Sequence, residues 1–155
     1  MSLLKQRIGI SMAIVAVLLI LVQAWRSQQP AAVFGSVYAY DIGTGHLFAT
    51  TATIPPMAAP SGSDRGVIAH VVRFAGDNEP TVVYLSTYTP EARRLLLEAG
   101  QFSEAIAAGM LVRRPEDTTW TPARSPAGRA ISARVSELAA GRTWTVVLPP
   151  ASEAY

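Results

Sequence analysis

The chain has 155 residues, of which half are hydrophobic and 15% charged, with 13 Lys and Arg against 11 Asp and Glu and no cysteine. Without cysteine there are no disulfides, thiolate metal sites, c-type haem attachment or acylated lipoprotein anchor, and this length leaves room for one modest core and no second domain. Lys5, Arg7 and Arg26 flank an apolar N-terminal run, which leaves ten Arg against all eleven acids in the remainder; the basic character is an N-terminal effect and argues against nucleic acid as a partner.

From Ile8 to Trp25 the sequence IGISMAIVAVLLILVQAW carries no charge over eighteen residues. As a helix it would be roughly 27 Å long, close to a hydrocarbon core of ~30 Å. We expect a transmembrane helix over 8–25, with Ile8, Gly9, Ala13, Leu18, Leu19 and Trp25 as anchor residues in contact with membrane lipid. Gly9 and Ala13 have the small-xxx-small spacing that lets helices approach, and Trp25 suits the outer interface. Two basic residues before the run and one after it put residues 1–7 in the cytoplasm and the rest outside, across a bacterial inner membrane. The competing reading is a cleavable secretory signal ending at Val22-Gln23-Ala24. The run has no His, Asp, Glu, Lys or Arg, hence no haem ligand and no proton relay.

Residues 26–32 read as a tether, 33–149 as one extracytoplasmic domain and 150–155 as a tail. VFGSVYAYD (33–41), turned by Gly43-Thr44-Gly45 into HLFAT (46–50), predicts a hairpin. Ile54-Pro55-Pro56 ends it and opens a loop through Asp64, longer than most connections in compact domains. GVIAHVVRF (66–74) and TVVYLSTY (81–88) predict a second hairpin, which completes an antiparallel meander of about four strands. Thr89-Pro90-Glu91 supplies an N-cap, a proline at the first helical position and an acid at the positive dipole end of a helix. A short helix over SEAIAAG, a short strand over 110–114, a helix over 126–139 after Ser125-Pro126 and a last strand over 143–149 follow. The expected fold class is α+β, with two or three helices behind the membrane segment.

Tyr40-Asp41, Gly45-His46-Leu47-Phe48, Ile54-Pro55-Pro56, Tyr88-Thr89-Pro90-Glu91-Ala92 and Ser125-Pro126-Ala127-Gly128-Arg129-Ala130-Ile131 together resemble an uncharacterised family of small bacterial membrane-anchored proteins. The resemblance spans most of 37–131 and implies the architecture; it carries no known activity and no catalytic residues. The apolar start also invites comparison with type IV pilins, but the Glu five residues into their mature helix has no counterpart here.

His46 and His70 are the only histidines, and a metal site shared between them would need a carboxylate such as Asp41 or Asp64. Symmetric pairing of the second hairpin sets Arg73 opposite Thr81, His70 opposite Tyr84 and Ile68 opposite Ser86. No G-x-S-x-G elbow, P-loop or G-x-G-x-x-G is present, so neither serine catalysis nor nucleotide binding is expected. Tyr38, Tyr40, Tyr84, Tyr88, Trp120 and Trp144 suit strand packing better than a ligand groove, and Arg93-Arg94 and Arg113-Arg114 sit among acids.

With no reactive constellation and no cofactor signature, the leading expectation is a non-catalytic single-pass accessory or scaffold subunit with integral-membrane protein partners. A membrane-anchored periplasmic binding module for a peptide or glycan is the alternative, using Pro55, Pro56, Met57 and Ser61 of the long loop. An enzyme with an unrecognised site, requiring His46, His70 and a carboxylate to converge, is the third reading.

Overall fold

The computed structural model describes residues 36–150. The expected helix at Ile8–Trp25, the tether at 26–32 and all of the tail but Pro150 lie outside the described residues. Among the described residues no helix is long and apolar enough to cross a membrane.

The four-strand meander is corrected. Seven strands form one antiparallel sheet: β1 (Val37–Asp41), β2 (His46–Thr50), β3 (Gly66–Phe74), β4 (Thr81–Tyr88), β5 (Met110–Arg113), β6 (Thr121–Pro122) and β7 (Trp144–Val146). The order is β2-β1-β3-β4-β5-β6, with β7 added beside β3. The first hairpin therefore lies reversed, with β1 between β2 and β3. The long segment after β2 is what permits this, because it can carry the chain past the end of β1 to start β3 at Gly66, opposite Asp41.

Strand β3 is longer than either neighbour on its outer edge, and this length sets up the site described below. β1 pairs with Gly66–Ile68 and β7 with Val72–Phe74, so the neighbour changes around His70. Toward β4, His70 faces Tyr84 and Ile68 faces Ser86, but Val71 faces Val82 and Val72 faces Thr81. Val83 is the extra residue of a β-bulge, and the expected Arg73–Thr81 pair does not form. The bulge turns Val83 and Tyr84 toward the same face.

Three helices accompany the sheet: α1 (Pro90–Ala99), α2 (Glu104–Ala108) and α3 (Pro126–Ala139). Each starts on a side-chain cap, with Thr89, Ser103 and Ser125 accepting from the backbone N–H three residues on. Helix α3 crosses β4, β5 and β6. It lays Val135, Leu138 and Ala139 on Val72, Phe74 and Val83. The opposite face gathers Val67, Ala69, Val71 and Leu85 with Tyr38, Tyr40, Leu47 and Trp120. Gly128 lets α3 approach the chain before it: a Cβ there would lie 2.1 Å from the Pro122 carbonyl oxygen.

Candidate functional site

A buried carboxylate and an apolar groove are the two places where polar chemistry concentrates. Asp41 ends β1, 1% exposed. Its Oδ1 accepts from the Gly43 N–H at 2.8 Å and the Ser63 hydroxyl at 3.2 Å; its Oδ2 accepts from the Ser61 hydroxyl at 2.8 Å and the Thr44 hydroxyl at 3.0 Å. These donors, the Gly43 N–H foremost, hold its pKa at about 2 against their opponent, burial. The carboxylate ties the β1–β2 turn to the long loop twenty residues on.

Asp41, His46 and Ser61 line one cavity of about 400 Å³. Nucleophilic activation would require a base able to take the Ser61 proton, yet the hydroxyl is donated straight to a carboxylate with a pKa far below neutrality, and His46 does not stand between them. His70 lines a different cavity. Among the described residues no three His, Asp or Glu side chains are grouped to hold a metal ion.

The loop residues singled out in the sequence are distributed as follows. Pro55 is fully buried, and its carbonyl accepts from Arg93 Nε at 2.8 Å. Met57 is 2% exposed and exchanges two backbone hydrogen bonds of 2.9 Å with Gly66. Pro56 and Ser61 are exposed, with the Ser61 hydroxyl engaged by Asp41. Burial thus takes Pro55 and Met57 out of reach of a partner.

The groove, of about 350 Å³, opens where β1 gives way to β7 along β3, with α3 as its other wall. The His70 ring stacks on Tyr84 with centroids 4.0 Å apart and planes 13° from parallel, and His70 Nε2 lies 2.9 Å from the Ser86 hydroxyl. Burial pushes the His70 pKa down to about 4, which leaves a neutral imidazole at physiological pH. Burial raises the Tyr84 pKa against the opposing effect of its hydrogen bond with Ser132 of α3. Val37, Ile68, Val72 and Val135 add apolar surface, and among the described residues no Asp, Glu, Lys or Arg lines the groove.

Its outer wall is Trp144, Val146 and Leu148, which are 41%, 67% and 69% exposed. Trp144 stands opposite Phe74 and Val146 opposite Val72, which puts both on the α3 face of the sheet. The Val147 N–H donates to the Val71 carbonyl at 3.0 Å and the Thr143 carbonyl accepts from the Ala75 N–H at 2.8 Å. In an antiparallel ladder these alternate residues turn their backbone toward the partner strand, so Trp144 and Val146 turn theirs away from it. No strand among the described residues pairs with that outer edge.

Two further features lie apart from the carboxylate and the groove. A cavity of about 400 Å³ lies among Val37, Ile54, Tyr88, Leu96 and Phe102. Arg113 is buried with its guanidinium 4.8 Å from the Trp120 ring and donates through NH1 to the Asp117 carbonyl at 2.8 Å, while its Nε has no partner. The face of an indole partly replaces the solvation this cation gives up.

Sequence reading missed the groove because its parts lie on β3, β4, α3 and β7, far apart in the chain. The last strand over 143–149 was expected; that Trp144, Val146 and Leu148 would stay exposed beside α3 was not. Comparison of the chain with family models, with curated proteins and with solved structures gives no match.

Proposed function

We propose that this protein is a non-catalytic accessory subunit of a bacterial membrane complex, with its folded domain on the extracytoplasmic side and an integral-membrane protein as partner. The observation that carries the reading is the exposed apolar wall of Trp144, Val146 and Leu148 beside an uncharged groove. Large apolar side chains exposed together are a feature of contact surfaces. The uncharged run at 8–25, with Lys5 and Arg7 before it, supports the membrane setting. Asp41 and His70 are committed to the domain's own structure: Asp41 accepts four hydrogen bonds, and the neutral His70 is stacked on Tyr84 and bonded to Ser86.

Extraction in a mild detergent, followed by size separation and identification of co-migrating proteins, tests this. The full chain should run in a large complex with a defined membrane protein, and Val146→Asp should release it while its thermal transition stays in place. A chain that runs alone, or a Val146→Asp variant that stays in the complex, overturns the reading.

A further inference from the structure

We infer that the partner presents an extended, uncharged segment that adds to the sheet as an eighth strand along β7, setting alternate apolar side chains against the wall of the groove. The inference rests on the accessory-subunit reading and specifies the shape and chemistry of what that subunit binds.

Backbone geometry carries the argument. The outward N–H and C=O groups of Trp144 and Val146 are spaced two residues apart, as a ladder requires, and only another extended backbone matches a row of alternating donors and acceptors. Edge strands usually carry a protecting device such as short length, a proline, an inward charge or a bulge, of which the three residues of β7 have only the first. From Thr143 to Leu148 there is no proline and no charge, and the bulge of this sheet lies instead on β4. The next residues, Pro149 and Pro150, lack an N–H and limit the open edge to the stretch before them.

Side chains set the composition of the segment. Trp144, Val146 and Leu148 share one face, so an added strand would lay every second residue beside them, over His70, Tyr84 and Val135. A charged residue there would lose solvent without gaining a charged partner, because among the described residues no Asp, Glu, Lys or Arg lines the groove and His70 is neutral. The preferred segment therefore alternates apolar residues with any others and is uncharged on its inward face. An extended chain of about five residues runs the length of Trp144–Leu148.

The test uses the full chain in detergent and, as probe, a capped hexapeptide of alternating valine and threonine. Amide hydrogen exchange is read at Trp144 and Val146, and binding is read by titration. The peptide should bind and slow exchange at both amides at least tenfold. A peptide N-methylated at its valines should fail to do so, and Val146→Pro, which removes one outward donor and leaves the inward bonds of Thr145 and Val147 possible, should lower affinity at least tenfold at an unchanged unfolding midpoint.

Three outcomes overturn the inference: no binding, binding without protection of these two amides, or protection in the chain alone that grows with its concentration. The last would assign the edge to a second copy. The two readings fail separately. If the chain sits in a complex that Val146→Asp disrupts but Val146→Pro does not, the subunit reading stands and strand addition is overturned. If the peptide protects both amides while the extracted chain runs alone, strand addition stands and the subunit reading falls.

Discussion

The two ends of β3 meet opposite situations. At its start, Gly66 lies opposite Asp41 and against Met57, in a region where a buried carboxylate, three hydroxyls and a turn N–H are all paired. At its end, Val72–Phe74 pair with β7, whose three residues are all exposed and whose outer edge pairs with no strand among the described residues. One end closes the fold on itself; the other leaves it unfinished. A single strand can serve both purposes because its length exceeds that of either neighbour, which separates the part that stabilises from the part available for contact.

Breaking the closed end should produce the largest effect. Asp41→Ala leaves the Gly43 N–H and the Thr44, Ser61 and Ser63 hydroxyls without their acceptor. We expect a fall in Tm of about 10 °C or more, read by circular dichroism. Gly66→Ala comes next. The new Cβ would lie 2.6 Å from the Met57 carbonyl oxygen and 3.0 Å from Phe48, so backbone must move, at a cost of about 2 kcal/mol in denaturant unfolding.

Acid should distinguish the ends by pH window. The His70 pKa drops from 6.5 in a model peptide to about 4 in the fold, so between those values the unfolded chain binds the proton and the native one does not. Stability falls as pH drops from 6.5 toward 4, by at most about 1.4 kcal/mol per pH unit, and His70→Asn should flatten that slope. Asp41 acts lower: its pKa falls from 3.8 to about 2, so its contribution is intact above pH 4 and is lost as pH approaches 2. Denaturant titrations from pH 7 to pH 2 would show both windows, and a His70→Asn curve that still falls between 6.5 and 4 would break the assignment.

The smallest effect on stability belongs to the open end. Val146→Asp should change unfolding free energy by less than about 0.5 kcal/mol, because the side chain is already mostly in solvent. The same variant should lose the membrane partner, so a large stability loss there would mean that β7 supports the fold and the contrast fails.

Legibility in the sequence followed the distance over which each feature is specified. The caps at Thr89, Ser103 and Ser125 lie within three residues of what they bind, and their helices could be placed from the sequence. The His70–Tyr84 pairing was expected from symmetry about the turn, yet next to the turn the register runs one residue off, with Val72 opposite Thr81, and the bulge at Val83 restores it. The bulge itself was not legible, since nothing in TVVYL marks it, although it sets Val83 in the cluster with Ala139 of α3. Nor could the sequence reveal β6, a two-residue strand, or the reversal of the first hairpin. Of the sites, His70 and Trp144 were named as residues worth weighing, while Ser86, Ser132, Val146 and Leu148 gained meaning only from their neighbours.

By itself the sequence determined the uncharged N-terminal run, the turn and cap chemistry, the strand-forming segments and the lack of cysteine chemistry. Those properties depend on residues close together in the chain, where covalent connection limits the geometries available. Tertiary structure alone decided that Asp41 would be enclosed by hydroxyls from a distant loop, that β1 and β7 would share one edge of β3, and that Trp144, Val146 and Leu148 would stay exposed. Each of these is a competition for the same buried space or the same strand edge, and the winner depends on every segment that reaches it.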